Sequence, residues 1–246
     1  MAGSRASGRK ARILRLYAAL YEAYGPRGWW PLVRRAGKRG FDEGGYHPGD
    51  YESPRTAADR LSVSLGAILT QNASWTNADR ALRAMEAAGL IDVGALLGAD
   101  TGVIEEAARP SGYFRQKTRK IKVFAEAAAE GRWFSRGKPP SREGLLGLWG
   151  IGEETADSIL LYAFRVPVFV MDAYGRRILS RLGLTEDGAS YAEARSLMAD
   201  SMPERAEDRN ECHALFVELA KRSCRKTPEC GGCPVRKDCP FRARGV

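Results

Sequence analysis

LLGLWGIGEETADSILLYAFRVPVFVMDAYGRRIL, residues 145–179, reads as a helix end, a tight turn at Gly150-Ile151-Gly152, a second helix over about 153–164 and an apolar run ending at Asp172. The two turn glycines give backbone freedom and leave no side chain to block close approach. Because the next helix starts at this turn, unpaired N–H groups and the positive end of its dipole point at one spot. Such a turn grips a phosphate without sequence preference, and a nucleic-acid backbone is its natural ligand. The same residues also suit an ordinary helix–turn–helix corner, with glycines as caps and Ile151 as a packing plug.

The totals agree with an acidic partner. The chain has 246 residues and a net charge of +9, long enough to bury a sizeable core and basic enough to favour nucleic acid. No apolar run approaches the ~20 residues of a membrane span, and the basic start MAGSRASGRKAR lacks a signal-peptide core, so an intracellular protein is expected. Of the five cysteines, four fall in residues 224–239, unlike a secreted disulfide scaffold.

Helical spacing dominates from end to end, and the chain reads as all-α. Residues 1–10 are rich in Gly, Ser and Arg and are expected to be disordered, whereas 11–24 form an amphipathic helix. Trp29 and Trp30 follow in a loop, where the default role of an adjacent pair is packing. A buried helix over 55–69 gives way to the polar stretch Thr70-Gln71-Asn72-Ala73-Ser74, then Trp75 and a helix to about 88. Short helices occupy 90–107. The turn at Arg109-Pro110-Ser111-Gly112 sets Tyr113 at its tip, and a basic helix continues through Lys117, Arg119, Lys120 and Lys122. Tyr113 reads either as a half-buried ring beside a solvated charged face or as a wedge entering a base stack, with Lys117 on phosphate.

Cys224, Cys230, Cys233 and Cys239 are spaced C-x5-C-x2-C-x5-C among Pro228, Gly231, Gly232 and Pro234. Four thiolates in one pliable loop converge on a metal centre. One short pair flanked by two longer gaps favours a [4Fe-4S] cluster, with zinc as the alternative. Arg225, Lys226, Arg236 and Lys237 between the ligands turn the loop toward phosphate. Cys212 and His213, on a helix with Leu215, Phe216 and Leu219, read as core rather than site.

In Leu148, Gly150, Ile151, Gly152, Thr155, Ala156 and Asp172 the chain resembles the helix-hairpin-helix DNA glycosylases of the endonuclease III superfamily, whose pattern is L-x-G-[VI]-G-x-K-T-A followed by V-D. It looks especially like the alkylpurine (3-methyladenine) branch. The shared segments are W-W-P at 29–31, L-T-Q-N-x-x-aromatic at 69–75, R-P-S-G-aromatic-aromatic-x-Q-K at 109–117, the hairpin at 150–160 and V-M-D-x-Y at 170–174. The resemblance implies double-stranded DNA with a damaged base as the partner of a monomer. It implies Gln71 filling the gap left by an extruded nucleotide, and Trp29, Trp30 and Trp75 lining the base pocket. Asp172 then stabilises positive charge on the sugar and orients water, although a carboxylate there also suits a helix cap. The family's cysteine loop is C-x6-C-x2-C-x5-C, one residue longer in its first gap.

Glu154 stands where the endonuclease III subfamily has its Schiff-base lysine. A carboxylate cannot form the imine, so the resemblance implies a monofunctional glycosylase with weak or absent AP lyase activity. A purine alkylated at N3 or N7 is cationic, and stacking on indoles adds about 0.5–2 kcal/mol over the neutral base. The rival readings are a glycosylase for an oxidised pyrimidine or a mismatched uracil or thymine, and a non-catalytic DNA-binding module. The expected architecture is two helical domains with a DNA-binding cleft: residues 52–166 with the hairpin, and 9–51 plus 167–246 with the cysteine loop.

Overall fold

The structure, a computed structural model, describes residues 2–136 and 138–241, and every regular element among them is helical. In chain order these are α1 (Ala2–Tyr24), α2 (Ala57–Leu69), α3 (Trp75–Ala87), α4 (Val93–Gly98), α5 (Thr101–Ala108), α6 (Phe114–Glu130), α7 (Trp133–Arg136), α8 (Arg142–Leu146), α9 (Glu153–Ser158), α10 (Ala173–Arg181), α11 (Tyr191–Ser201) and α12 (Ala206–Arg222). Among the described residues no helix is long and apolar enough to cross a membrane. The tail for which composition predicts disorder instead extends α1 back to Ala2. Arg, Lys and Ala are strong helix formers, so a helix anchored by Ile13, Leu16 and Leu20 propagates outward easily.

Two compact units form: a hairpin unit, Trp30–Val166, and an end unit made of the described residues up to Trp29 and from Pro167 onward. Residues 30–51, grouped with the chain ends by the sequence reading, belong to the hairpin unit. Their ties are local: His47, 1% exposed, sets its ring nitrogens 3.0 Å from the Trp30 carbonyl and 2.9 Å from that of Asp50, and Arg35 pairs with the buried Asp59 at 2.8 Å.

Helix α2 is the axis of the hairpin unit. Its N-cap Thr56 accepts the Asp59 amide (3.1 Å), and nearly every residue from Asp59 to Leu69 is buried against α3, α6 and the segment after α9. That segment departs from the single helix predicted over 153–164: α9 ends at Ser158 and widens into a π-turn, Ile159–Ala163. All five of its residues are buried. Spacing reads its continuity but not the extra residue in the turn. In the end unit, α1, α10, α11 and α12 close on Ile13, Leu20, Phe169, Ile178 and Phe216, and Cys224, Cys233 and Cys239 pack against this core.

Candidate functional site

The hairpin is built between α8 and α9. Gly150 has φ +80°, and a Cβ there would meet the Lys120 side chain at 2.5 Å, so glycine is required both by conformation and by the lysine stem lying across it. The Ile151 amide donates to the Leu148 carbonyl at 3.1 Å and its side chain is 5% exposed. Ile151 is therefore the packing plug, and its own amide is engaged within the turn. The amides of Gly150 and Gly152 have no partner among the described residues, and Gly152 caps α9. Arg142 clamps the turn from behind, donating to both oxygens of the fully buried Asp157 (2.8 and 3.1 Å) and to Glu153 (3.1 Å). These pairings raise the Arg142 pKa further. Glu154 is exposed in the first turn of α9.

Two loops reach outward beside the hairpin. Gln71 donates to the Gly150 carbonyl (3.1 Å) and the Thr155 hydroxyl (2.8 Å) and accepts from Lys120. Its neighbour Asn72 and the tip residue Tyr113 both adopt left-handed backbone, φ 51° and 47°, a strained state for residues with a Cβ. Tyr113 is 68% exposed. Lys117 corrects the sequence reading. It is 1% exposed, and its Nζ donates to the carbonyls of Leu69 and Ser111, both at 2.7 Å, so it meets no phosphate. On α6 it falls in the apolar stripe of Ile121, Phe124 and Ala128, which turns it inward. Burial, with the charge of Lys120 adding to it, pushes its ammonium down to about 8.

The tryptophans part company. Trp30 is 8% exposed, edge-on to Trp75 (centroids 5.3 Å, 84°) and tilted against Tyr162 (5.1 Å). It stands behind Trp75, which is half-buried at the start of α3. In the end unit, half-buried Trp29 has its carbonyl held by Asn210 Nδ2 at 2.7 Å and its ring edge-on to His213 (5.7 Å, 79°).

Asp172 caps α10, its Oδ1 accepting the Gly175 amide at 2.7 Å. A side chain at Gly175 would strike Met171 Sδ at 2.6 Å, so glycine lets Met171 bury completely beside the carboxylate. The other oxygen, Oδ2, lies 3.6 Å from His213 Nε2. Burial alone would raise the Asp172 pKa. The His213 imidazole beside Oδ2, with the amides of Gly175 and Tyr174, outweighs it and holds the group below the usual carboxylate range. Asp172 is thus both cap and ionised carboxylate. His213, which sequence reads as core, is the neighbour that spacing along α12 does not single out.

All four loop cysteines line one cavity, closed on its inner side by Ile178, Leu182 and Leu219, and Arg181 reaches Cys224 Sγ at 3.3 Å. Among the described residues no three potential ligands lie close enough to share a single ion. Four thiols around one apolar-backed cavity fit a thiolate-held metal centre.

Comparison with known proteins bears on all of this. The model of the HhH-GPD superfamily base excision DNA repair protein matches residues 65–204. A Methanocaldococcus jannaschii protein named, provisionally, a DNA repair glycosylase is 34% identical over 92% of this chain and 95% of its own length. An endonuclease III of Sulfolobus acidocaldarius is 29% identical over 74% of this chain and 82% of its own. A solved non-covalent endonuclease III–DNA complex superposes with a TM-score of 0.74 at 18% identity, over 96% of this chain and 97% of that one. This last likeness is one of fold.

Proposed function

This chain belongs to the HhH-GPD superfamily of base excision DNA repair proteins and is a DNA glycosylase, and on that premise we propose that it is a monofunctional enzyme releasing alkylated purines, such as 3-methyladenine and 7-methylguanine, from double-stranded DNA as a monomer. One observation carries the reading: an ionised carboxylate, Asp172, and a half-buried indole, Trp29, share the buried His213 as neighbour. An indole face attracts a cationic base beyond what it offers a neutral one. Trp75, backed by Trp30, offers a second such face in the hairpin unit.

The chemistry needs little more. The amides of Gly150 and Gly152 grip phosphate, Gln71 fills the vacated space in the duplex and Tyr113 parts the stack, at an unstacking cost of a few kcal/mol. The C1′–N bond then breaks with its electron pair passing to the cationic base, which departs neutral and needs no proton. Asp172 stabilises the positive charge developing on the sugar, and water adds at C1′ and yields a proton to solvent through the carboxylate. Cys224, Cys230, Cys233 and Cys239 would hold a [4Fe-4S] cluster, whose contribution is to shape a loop bearing Arg225, Lys226, Arg236 and Lys237.

The deciding experiment identifies the free bases released from methylated duplex DNA alongside substrates with oxidised pyrimidines or mismatched uracil and thymine. Methylated purines are expected, with release lost in Asp172→Asn. Preferential release of an oxidised pyrimidine or mismatched base would replace the substrate assignment. Undiminished release by Asp172→Asn would remove the carboxylate from the mechanism.

A further inference from the structure

We infer that His213 is a positioning residue for base release, one imidazole supporting both the Asp172 carboxylate and the Trp29 indole. The inference rests on the roles proposed above for those two residues. Asp172 Oδ1 is fixed by the Gly175 amide at 2.7 Å, so the carboxylate's remaining freedom is the direction of Oδ2, and His213 Nε2 stands 3.6 Å from that oxygen. The same ring packs edge-on with Trp29, centroids 5.7 Å apart. His213 is 5% exposed, beside the fully buried Cys212 and Leu215, which leaves it little room to turn.

Helix α12 reinforces the arrangement with two more residues on the turn before His213. Asn210 Nδ2 donates to the Trp29 carbonyl at 2.7 Å, and Glu211, 2% exposed, accepts the Arg27 amide at 2.6 Å. Arg27 in turn pairs with Glu218, two helical turns beyond Glu211, at 3.1 Å. A buried acid, an amide and an imidazole on one rigid helix thus fix the loop that carries the indole. The groups acting on Asp172 are His213 and the amides of Gly175 and Tyr174, and of these only His213 can carry charge. Replacing His213 therefore leaves burial opposed by amides alone, and the carboxylate should take up its proton at higher pH.

The test compares His213→Gln and His213→Phe with the natural protein by single-turnover release of methylated purines across pH, and by carboxyl-carbon NMR titration of Asp172, its signal assigned with Asp172→Asn. The expected result for His213→Phe is release slowed roughly 10-fold or more, with the acid limb and the Asp172 titration both moved to higher pH. His213→Gln keeps a donor and should recover much of the rate while the titration stays displaced. An unmoved Asp172 titration in both variants overturns the inference, as does a loss of rate with the acid limb in place, which marks a merely structural role. Because the titration needs no turnover, a natural protein inactive on methylated DNA would sink the substrate reading while this inference is still decided by the NMR arm.

Discussion

Glu154 sits exposed in the first turn of α9, two residues beyond the turn amides of Gly152. A carboxylate there favours the helix dipole but has no amine lone pair with which to attack an abasic sugar. Borohydride should therefore trap little covalent protein–DNA adduct with the natural chain, and Glu154→Lys should raise the trapped fraction severalfold. Efficient trapping of the natural chain would overturn the monofunctional assignment. At this scale the positions of Glu154 and Asp172 at helix starts are legible, because each occupies a fixed place in a local motif. His213 is not: its partner lies 41 residues earlier, and a histidine between Cys212 and Ala214 has no local feature that distinguishes support of a carboxylate from ordinary packing. Trp30 shows the same limit, since adjacent tryptophans in sequence do not reveal which ring will be covered by Trp75 and Tyr162.

Helix α6 illustrates what spacing can settle about an element and what it leaves open. The sequence reading carries a basic helix through Lys122, whereas the helix runs from Phe114 to Glu130, and its buried stripe of Ile121 and Phe124 also contains Lys117. The basic character of the helix nevertheless suggests phosphate, because composition says nothing of where an ammonium ends. Buried between two carbonyls, Lys117 joins the end of α2 to the turn before Tyr113. A neutral amine still has two N–H donors for those two acceptors. The sign of its pH dependence follows: the folded pKa, about 8, lies below the ordinary lysine value of 10.5, so between these values the unfolded chain binds more protons and stability rises with pH. The unfolding free-energy difference between the natural protein and Lys117→Met should accordingly widen by up to about 3 kcal/mol from pH 7.5 to 10.5. A difference that is flat or narrows over this range would show that the ammonium is not penalised by burial. The π-turn is the converse case, an element whose helical continuity is readable and whose winding is not.

At the scale of the molecule, the division of the chain into Trp30–Val166 and the two flanking segments is a matter of contacts far apart in sequence, which local periodicity does not encode. Charge is legible at any scale, and the net +9 is carried in both units by exposed basic side chains, among them Arg115 and Arg119 on α6 and Arg225, Lys226, Arg236 and Lys237 in the cysteine loop. If that loop both packs against the end-unit core and contacts phosphate, removing its metal should affect stability and salt dependence together. Metal analysis of the natural protein should find about four irons per chain with visible thiolate-to-iron absorption; stoichiometric zinc would assign the other metal. Cys230→Ser should lose that absorption and lower the unfolding temperature, because Cys224, Cys233 and Cys239 pack on the core around Phe216. It should also flatten the fall of DNA affinity with salt, since each lost phosphate contact lowers the slope of log K against log salt by about 0.9. An unchanged slope in a folded, iron-free variant would separate the cluster from DNA contact and leave Gly150, Gly152 and the basic face of α6 to hold the backbone alone.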